Sequence, residues 1–230
     1  MQVFWKRGYE ATSIHHLVDR MGIQRGSLYD TFGDKRALFF AAIDRYDQVV
    51  TAKLLAALDE PRGKDGIRRF FRLKVDLAME PGRPRGCLVT NSATELASRD
   101  RGTASRVGAV LTKIEAAFHR AVVRAQKAGE IEPTRNPRAL ARFLTSSAQG
   151  LSVMAKTFPE RAVLEDIVKV ILAALELRGP SGPWRAGEAP ASTAARPRRR
   201  RSGTPADRAP SSRPATPSRA GAPSTAWSSR

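Results

Sequence analysis

The 230 residues carry 40 lysines and arginines against 22 aspartates and glutamates, a net charge of +18 and a pI near 11.2, which favours polyanionic partners over basic or neutral ones. A hydrophobic share of 41% suffices for a globular core, and the single cysteine, Cys87, excludes an intramolecular disulfide. No apolar run approaches the ~20 residues that span a bilayer, no His or Cys cluster has metal-ligand spacing, and the glycines are scattered rather than gathered into a phosphate loop. The expectation is a cytoplasmic chain with no metal, no cofactor and no membrane partner.

In chain order, Met1 to Arg7 reads as the last turns of a helix, with Phe4 and Trp5 on its apolar side. Thr12 and Ser13 then offer hydroxyl N-caps to a short helix whose apolar face is Ile14, Leu17, Val18 and Met21. Gly22 supplies the positive φ that ends it, and Ile23 plugs the corner to a second short helix, Gln24 to Phe32. That second helix buries Leu28 and Phe32 and leads with Gln24, Arg25, Gly26 and Ser27, groups able to reach base edges and phosphates. Tyr29 and Lys35 flank Phe32, one suited to bond a phosphate and the other to neutralise one. Helix pairs on a glycine turn also occur in proteins that never touch nucleic acid, so the residue types, not the spacing alone, carry the helix-turn-helix reading.

The segments GYEATSI, GIQRGSLYDTF and GDKRALF resemble the DNA-binding domain of TetR/AcrR-type transcriptional regulators, closely from Val3 to about Tyr46 and in architecture alone to about Arg178. The resemblance implies that Thr12 and Ser13 lie at the DNA backbone, that Arg25, Gly26 and Ser27 face bases or their sugars, and that Tyr29, Thr31 and Lys35 hold phosphates. Asp30 and Thr31 stand where the family often has an aromatic residue and a histidine, and Asp30 is expected to face solvent. The first helix is far shorter than the family's, which implies a Met1 internal to a longer reading frame.

Asp34 caps the next helix, whose apolar positions from Leu38 through Tyr46 and Val50 to Leu58 predict one long connecting helix ending at Asp59. Further helices are expected from Ile67 to Ala78, from Cys87 to Ala97, from Gly102 to Ala128, from Pro137 to Thr157 and from Pro159 to Leu177. In the penultimate helix Leu140, Phe143, Leu144, Ser147, Leu151 and Met154 form one stripe. In the last, Val163, Ile167, Val168, Val170, Ile171, Leu172 and Leu175 cover more surface than one packing partner needs. Two accounts fit this surplus: a four-helix homodimer interface, as in the family, or the monomer's own core. From Gly179 the chain turns to Pro, Ser, Ala, Gly, Thr and Arg, with ten arginines against Glu188 and Asp207, and is expected to be disordered. Arg198 to Arg201 suit non-specific DNA contact or simply a solvated tail.

The expected architecture is therefore all-α: a helix-turn-helix DNA-binding domain over 1–46 with a truncated first helix, a helical ligand-binding and dimerisation domain over 47–178, and a basic tail over 179–230. The family resemblance implies a small-molecule inducer, and the candidate lining is Phe70, Phe71, Lys74, Leu77, Cys87, Asn91, Phe118 and Phe143. Cys87 reads either as an inert buried thiol or as a sensor favoured by the nearby Arg83 and Arg85. No histidine among His15, His16 and His119 stands beside a nucleophile, so no enzyme is expected. The function this predicts is a ligand-responsive repressor bound to a palindromic double-stranded operator as a homodimer. The alternatives are a ligand- or partner-binding helical dimer that has lost operator recognition, and a non-specific DNA-coating protein driven by its tail.

Overall fold

Ser13 starts the motif: its side chain accepts the His16 amide at 3.2 Å while His16 Nδ1 accepts the Ser13 amide at 3.1 Å, a reciprocal cap that opens α2 (Ile14–Met21). The computed structural model describes residues 1–82 and 86–176, and every regular element among them is helical. Before α2 lies α1 (Gln2–Arg7), which buries Phe4 and Trp5. Gly22 closes α2 in the left-handed conformation, φ 66°, and its amide donates to the Val18 carbonyl. Then come α3 (Arg25–Phe32), with Gln24 as its extended N-cap, and α4 (Lys35–Tyr46), capped by Asp34 through the Ala37 amide at 2.7 Å.

The expected connecting helix runs to Asp59, but not as a uniform α-helix. After Tyr46 it passes through a π-helical turn, Asp47–Thr51, into α5 (Ala52–Ala56) and a tight 3-10 turn, Ala57–Asp59. No glycine or proline marks the π turn in the sequence, because it inserts one residue without breaking the apolar face that buries Val50 and Leu54.

The remaining helices are α6 (Gly63–Met79), α7 (Leu88–Leu96), α8 (Arg101–Lys127), α9 (Pro137–Thr157) and α10 (Arg161–Ala173). Asn136 accepts the Arg138 and Ala139 amides and Pro137 takes the first position of α9, where its missing N–H costs nothing. α10 is shorter than expected: Glu160 is extended rather than helical, and after Ala173 the backbone tightens into turns closed by Leu175 and Glu176. Leu177 and the whole 179–230 segment lie outside the described residues, as do Arg83 and Arg85.

Two aromatic clusters anchor the core. Near the amino terminus the Phe39 ring meets Phe4 edge-on at 5.1 Å and Tyr9 at 4.9 Å, above the buried Leu17, Leu28 and Ile43. Between α6 and α8, Phe118 packs against Phe70 at 4.7 Å and Phe71 at 5.9 Å, all three rings withdrawn from water. Burying each such ring contributes about 1.5–3 kcal/mol relative to leaving it exposed. The approach of α6 to α8 requires Gly63, where a β-carbon would overlap the Ala121 carbonyl and stand 2.7 Å from the Ala125 nitrogen.

Met21 departs from the expected apolar face of α2. It is 41% exposed, because Leu17 alone fills the centre of that face while Ile14 and Val18 cover its edges.

Candidate nucleic-acid interface and effector cavity

Leu28 is fully buried and fixes which side of α3 faces inward, leaving Gln24, Arg25, Gly26, Ser27, Tyr29, Asp30 and Thr31 exposed. Arg25 lies along Tyr29, with its guanidinium 3.5 Å from the phenol oxygen and 5.7 Å from the ring centroid. A β-carbon on Gly26 would meet no atom of the described residues, so the first turn of α3 is open at that position. Gln24 makes no side-chain bond to the helix it caps, and the first-turn amides lack a side-chain partner there. Lys35 sits half-buried, its ammonium 4.2 Å from the centroid of the Tyr9 ring, at the start of α4. Asp30 faces solvent, as expected.

Ser13 is exposed but its hydroxyl oxygen already serves as the cap of α2. Thr12 differs from expectation. Rather than meeting a DNA backbone, it is fully buried and its hydroxyl donates to the Gly8 carbonyl at 2.6 Å, which closes the corner between α1 and α2.

This reading head is fastened to the helices behind it. Glu95 of α7 accepts the Tyr9 amide at 3.0 Å and the Glu10 amide at 2.8 Å, bridging the two parts across the chain. Arg36 of α4 donates through two nitrogens to Asp100 at 3.0 and 2.8 Å, and Lys113 of α8 pairs with Asp47 in the π turn. The Thr103 amide first, and then Arg36, hold the Asp100 carboxyl below its ordinary range.

Between head and carboxyl-terminal helices lies a small cavity. Trp5 of α1, Tyr46 of α4, Val50, Leu54, Lys74 and Leu77 of α6, Leu151 and Ser152 of α9 and Leu164 of α10 line it. Its volume of about 20 Å³ is room for roughly one water rather than for a drug-sized ligand. Of the eight residues expected to line a ligand site, Lys74 and Leu77 reach this cavity, and Gly86, next to Cys87, borders it.

Phe70, Phe71 and Phe118 are instead consumed by the aromatic core. Cys87 is buried as the N-cap of α7, and its carbonyl accepts the Asn91 amide at 2.9 Å. Phe143 departs furthest, being 40% exposed, because the buried stripe of α9 is Leu140, Leu144, Ala148, Leu151 and Ala155. Trp5 and Tyr46, which meet edge-on at 4.9 Å, were not foreseen as cavity walls, since no local pattern shows that two helices far apart in sequence share a wall.

No helix among the described residues is long and apolar enough to cross a membrane. Residues 1–42 match the tetR family of bacterial regulatory proteins, and residues 63–171 match the tetracyclin repressor-like C-terminal domain. The chain is 35% identical over 178 residues to the HTH-type transcriptional regulator YezE of Bacillus subtilis, covering 76% of this chain and 92% of that protein. It is 31% identical to the HTH-type transcriptional repressor ComR of Escherichia coli, over 77% of this chain and 84% of that protein. Among solved structures, the TetR family regulator CifR, as a cysteine mutant complexed with 26-bp operator DNA, superposes with a TM-score of 0.69 at 30% identity, covering 75% of this chain and 91% of that chain. With the exposed first turn of α3 set on a helix-turn-helix and both family regions in place, the chain belongs to the tetR family of bacterial regulatory proteins and is a DNA-binding transcriptional regulator.

Proposed function

We propose that the protein is a cytoplasmic repressor that holds a palindromic operator as a homodimer and releases it when a small molecule enters the carboxyl-terminal helices. The observation that carries this is the open first turn of α3: Gln24, Arg25, Gly26 and Ser27 project from a helix whose opposite side is locked by Leu28. Arg25 and Gln24 then read base edges, Gly26 allows close approach of the backbone, and Ser27, Tyr29, Thr31, Lys35 and the Ser13 corner position the head on phosphates. Similarity to the repressor ComR and to the operator-bound CifR supports the assignment. A regulatory rather than catalytic role agrees with the same relatives.

The dimer reading rests on α9 and α10. Phe143 and Val153 of α9 and Val170 of α10 are exposed, and a β-carbon on Gly150 would meet nothing among the described residues, so these positions offer apolar surface open to close approach. Two copies joined there would present two α3 helices to successive major grooves, about 34–36 Å apart or a multiple of that.

Selection of bound duplexes from random DNA tests the proposal. The expected product is a two-fold symmetric site whose half-sites are separated by whole helical turns. Enrichment of no sequence, or of an asymmetric single half-site, would overturn it and favour a helical dimer without operator recognition.

A further inference from the structure

Lys74 occupies an unusual position for a lysine. It projects from α6 into the cavity beside Trp5, Tyr46, Leu54, Leu77 and Leu164, and no carboxylate among the described residues pairs with it. Lys74 as a whole residue is partly exposed, yet burial pushes its amine below the usual lysine range, with the neighbouring Cys87 acting in the other direction. A buried amine without an acidic partner costs free energy whichever protonation state it adopts, either as a desolvated charge or as a proton given up. Two basic residues on the neighbouring elements do have carboxylate partners: Lys64 of α6 pairs with Glu176 and Arg161 of α10 with Asp76.

We infer that this cavity takes a small amphipathic carboxylate, its anionic end paired with the Lys74 amine and its hydrocarbon or aromatic part against Trp5, Tyr46, Leu54 and Leu164. Lys74 disfavours cations, and a neutral alcohol would satisfy one hydrogen bond without balancing charge. The lining is mostly hydrocarbon and aromatic ring, with polar atoms of Trp5, Tyr46 and Ser152 at its edges, which favours an anion that carries an apolar part over a small, highly hydrated one. The inference deepens the proposed response to a small molecule and rests on that reading for its regulatory meaning. Because the present space admits roughly one water, such a ligand must part α1 and α4 from α6, α9 and α10. The walls it would move are those that set the reading head, Trp5 and Tyr46.

The test measures binding of octanoate and benzoate, with 1-octanol and benzyl alcohol as shape-matched neutral controls, by calorimetry on the full chain. Wild-type protein is expected to bind each carboxylate about tenfold or more tightly than its alcohol, the increment of one charge-assisted contact. Lys74→Met is expected to abolish that preference, and Lys74→Gln, which keeps a polar end and guards against a misfolded variant, to do the same with unchanged circular dichroism. Equal affinity for acid and alcohol in the wild type, no binding of either carboxylate, or undiminished carboxylate preference in both variants would overturn the inference. Operator release, followed in parallel by fluorescence anisotropy, reports separately on the inducer reading. Binding that depends on Lys74 without release upholds the site and removes only its regulatory role.

Discussion

Lys35 and Lys74 show how the surroundings of one residue type decide its work. Lys35 stands on the Tyr9 ring at the edge of the reading head, where it can neutralise a phosphate without reading a base. Lys35→Ala is expected to weaken binding to all duplexes alike and to lower the log-log salt slope by about one, measured by titration across salt concentrations.

At Lys74 the prediction concerns stability. Its folded pKa lies below the unfolded one, so the folded state binds fewer protons between the two values, and the cost is fully present at low pH and vanishes as pH rises to the ordinary lysine range. Lys74→Met is therefore expected to raise the thermal midpoint near neutrality, with the gain shrinking towards about pH 10. A gain independent of pH would contradict this account. The sequence marked Ser13, Gly22 and Leu28 because caps, positive-φ turns and buried leucines leave local signatures. Thr12 escaped it, since two adjacent hydroxyls both look like caps and only the path of the chain past Gly8 shows which one turns inward.

Helix boundaries were legible where chemistry punctuates them, as at Asp34 before α4 and Pro137 at the start of α9. The π turn at Asp47–Thr51 was not, because it leaves the apolar period of the helix nearly intact. Phe143 was misplaced for a related reason: positions three and four apart on α9 form two adjacent apolar stripes, and the packing of α8 selects the one through Leu144 and Leu151. The approach of α6 to α8 depends on a single glycine. Gly63→Ala is expected to destabilise the fold by about 1–3 kcal/mol, measured by denaturant unfolding, because the opposing atoms are backbone and cannot rotate away.

Across the described residues, head and carboxyl-terminal helices are joined by polar straps and by a shared cavity. Glu95 and the Arg36–Asp100 pair tie α7 and the start of α8 to the head, while Trp5 and Tyr46 face α6, α9 and α10 across the cavity. In the proposed response, a molecule entering the cavity would push on a head that Glu95 and Arg36 hold to the helices behind it. In the dimer reading such a push changes the separation of two heads, so assembly and induction are linked. Val170→Glu, at a position 70% exposed in one chain, is expected to shift the protein from dimer to monomer in sedimentation velocity and to weaken operator binding with it. An unchanged dimer would move the interface away from α10.

The central claim, that the first turn of α3 reads bases, is tested most directly by Arg25→Ala. Its affinity is to be compared with that of the wild type on the selected operator and on a random duplex of equal length. The account predicts a loss of about 1–3 kcal/mol per half-site on the operator with a much smaller loss on random DNA. Equal losses on both duplexes, or none on either, would contradict it.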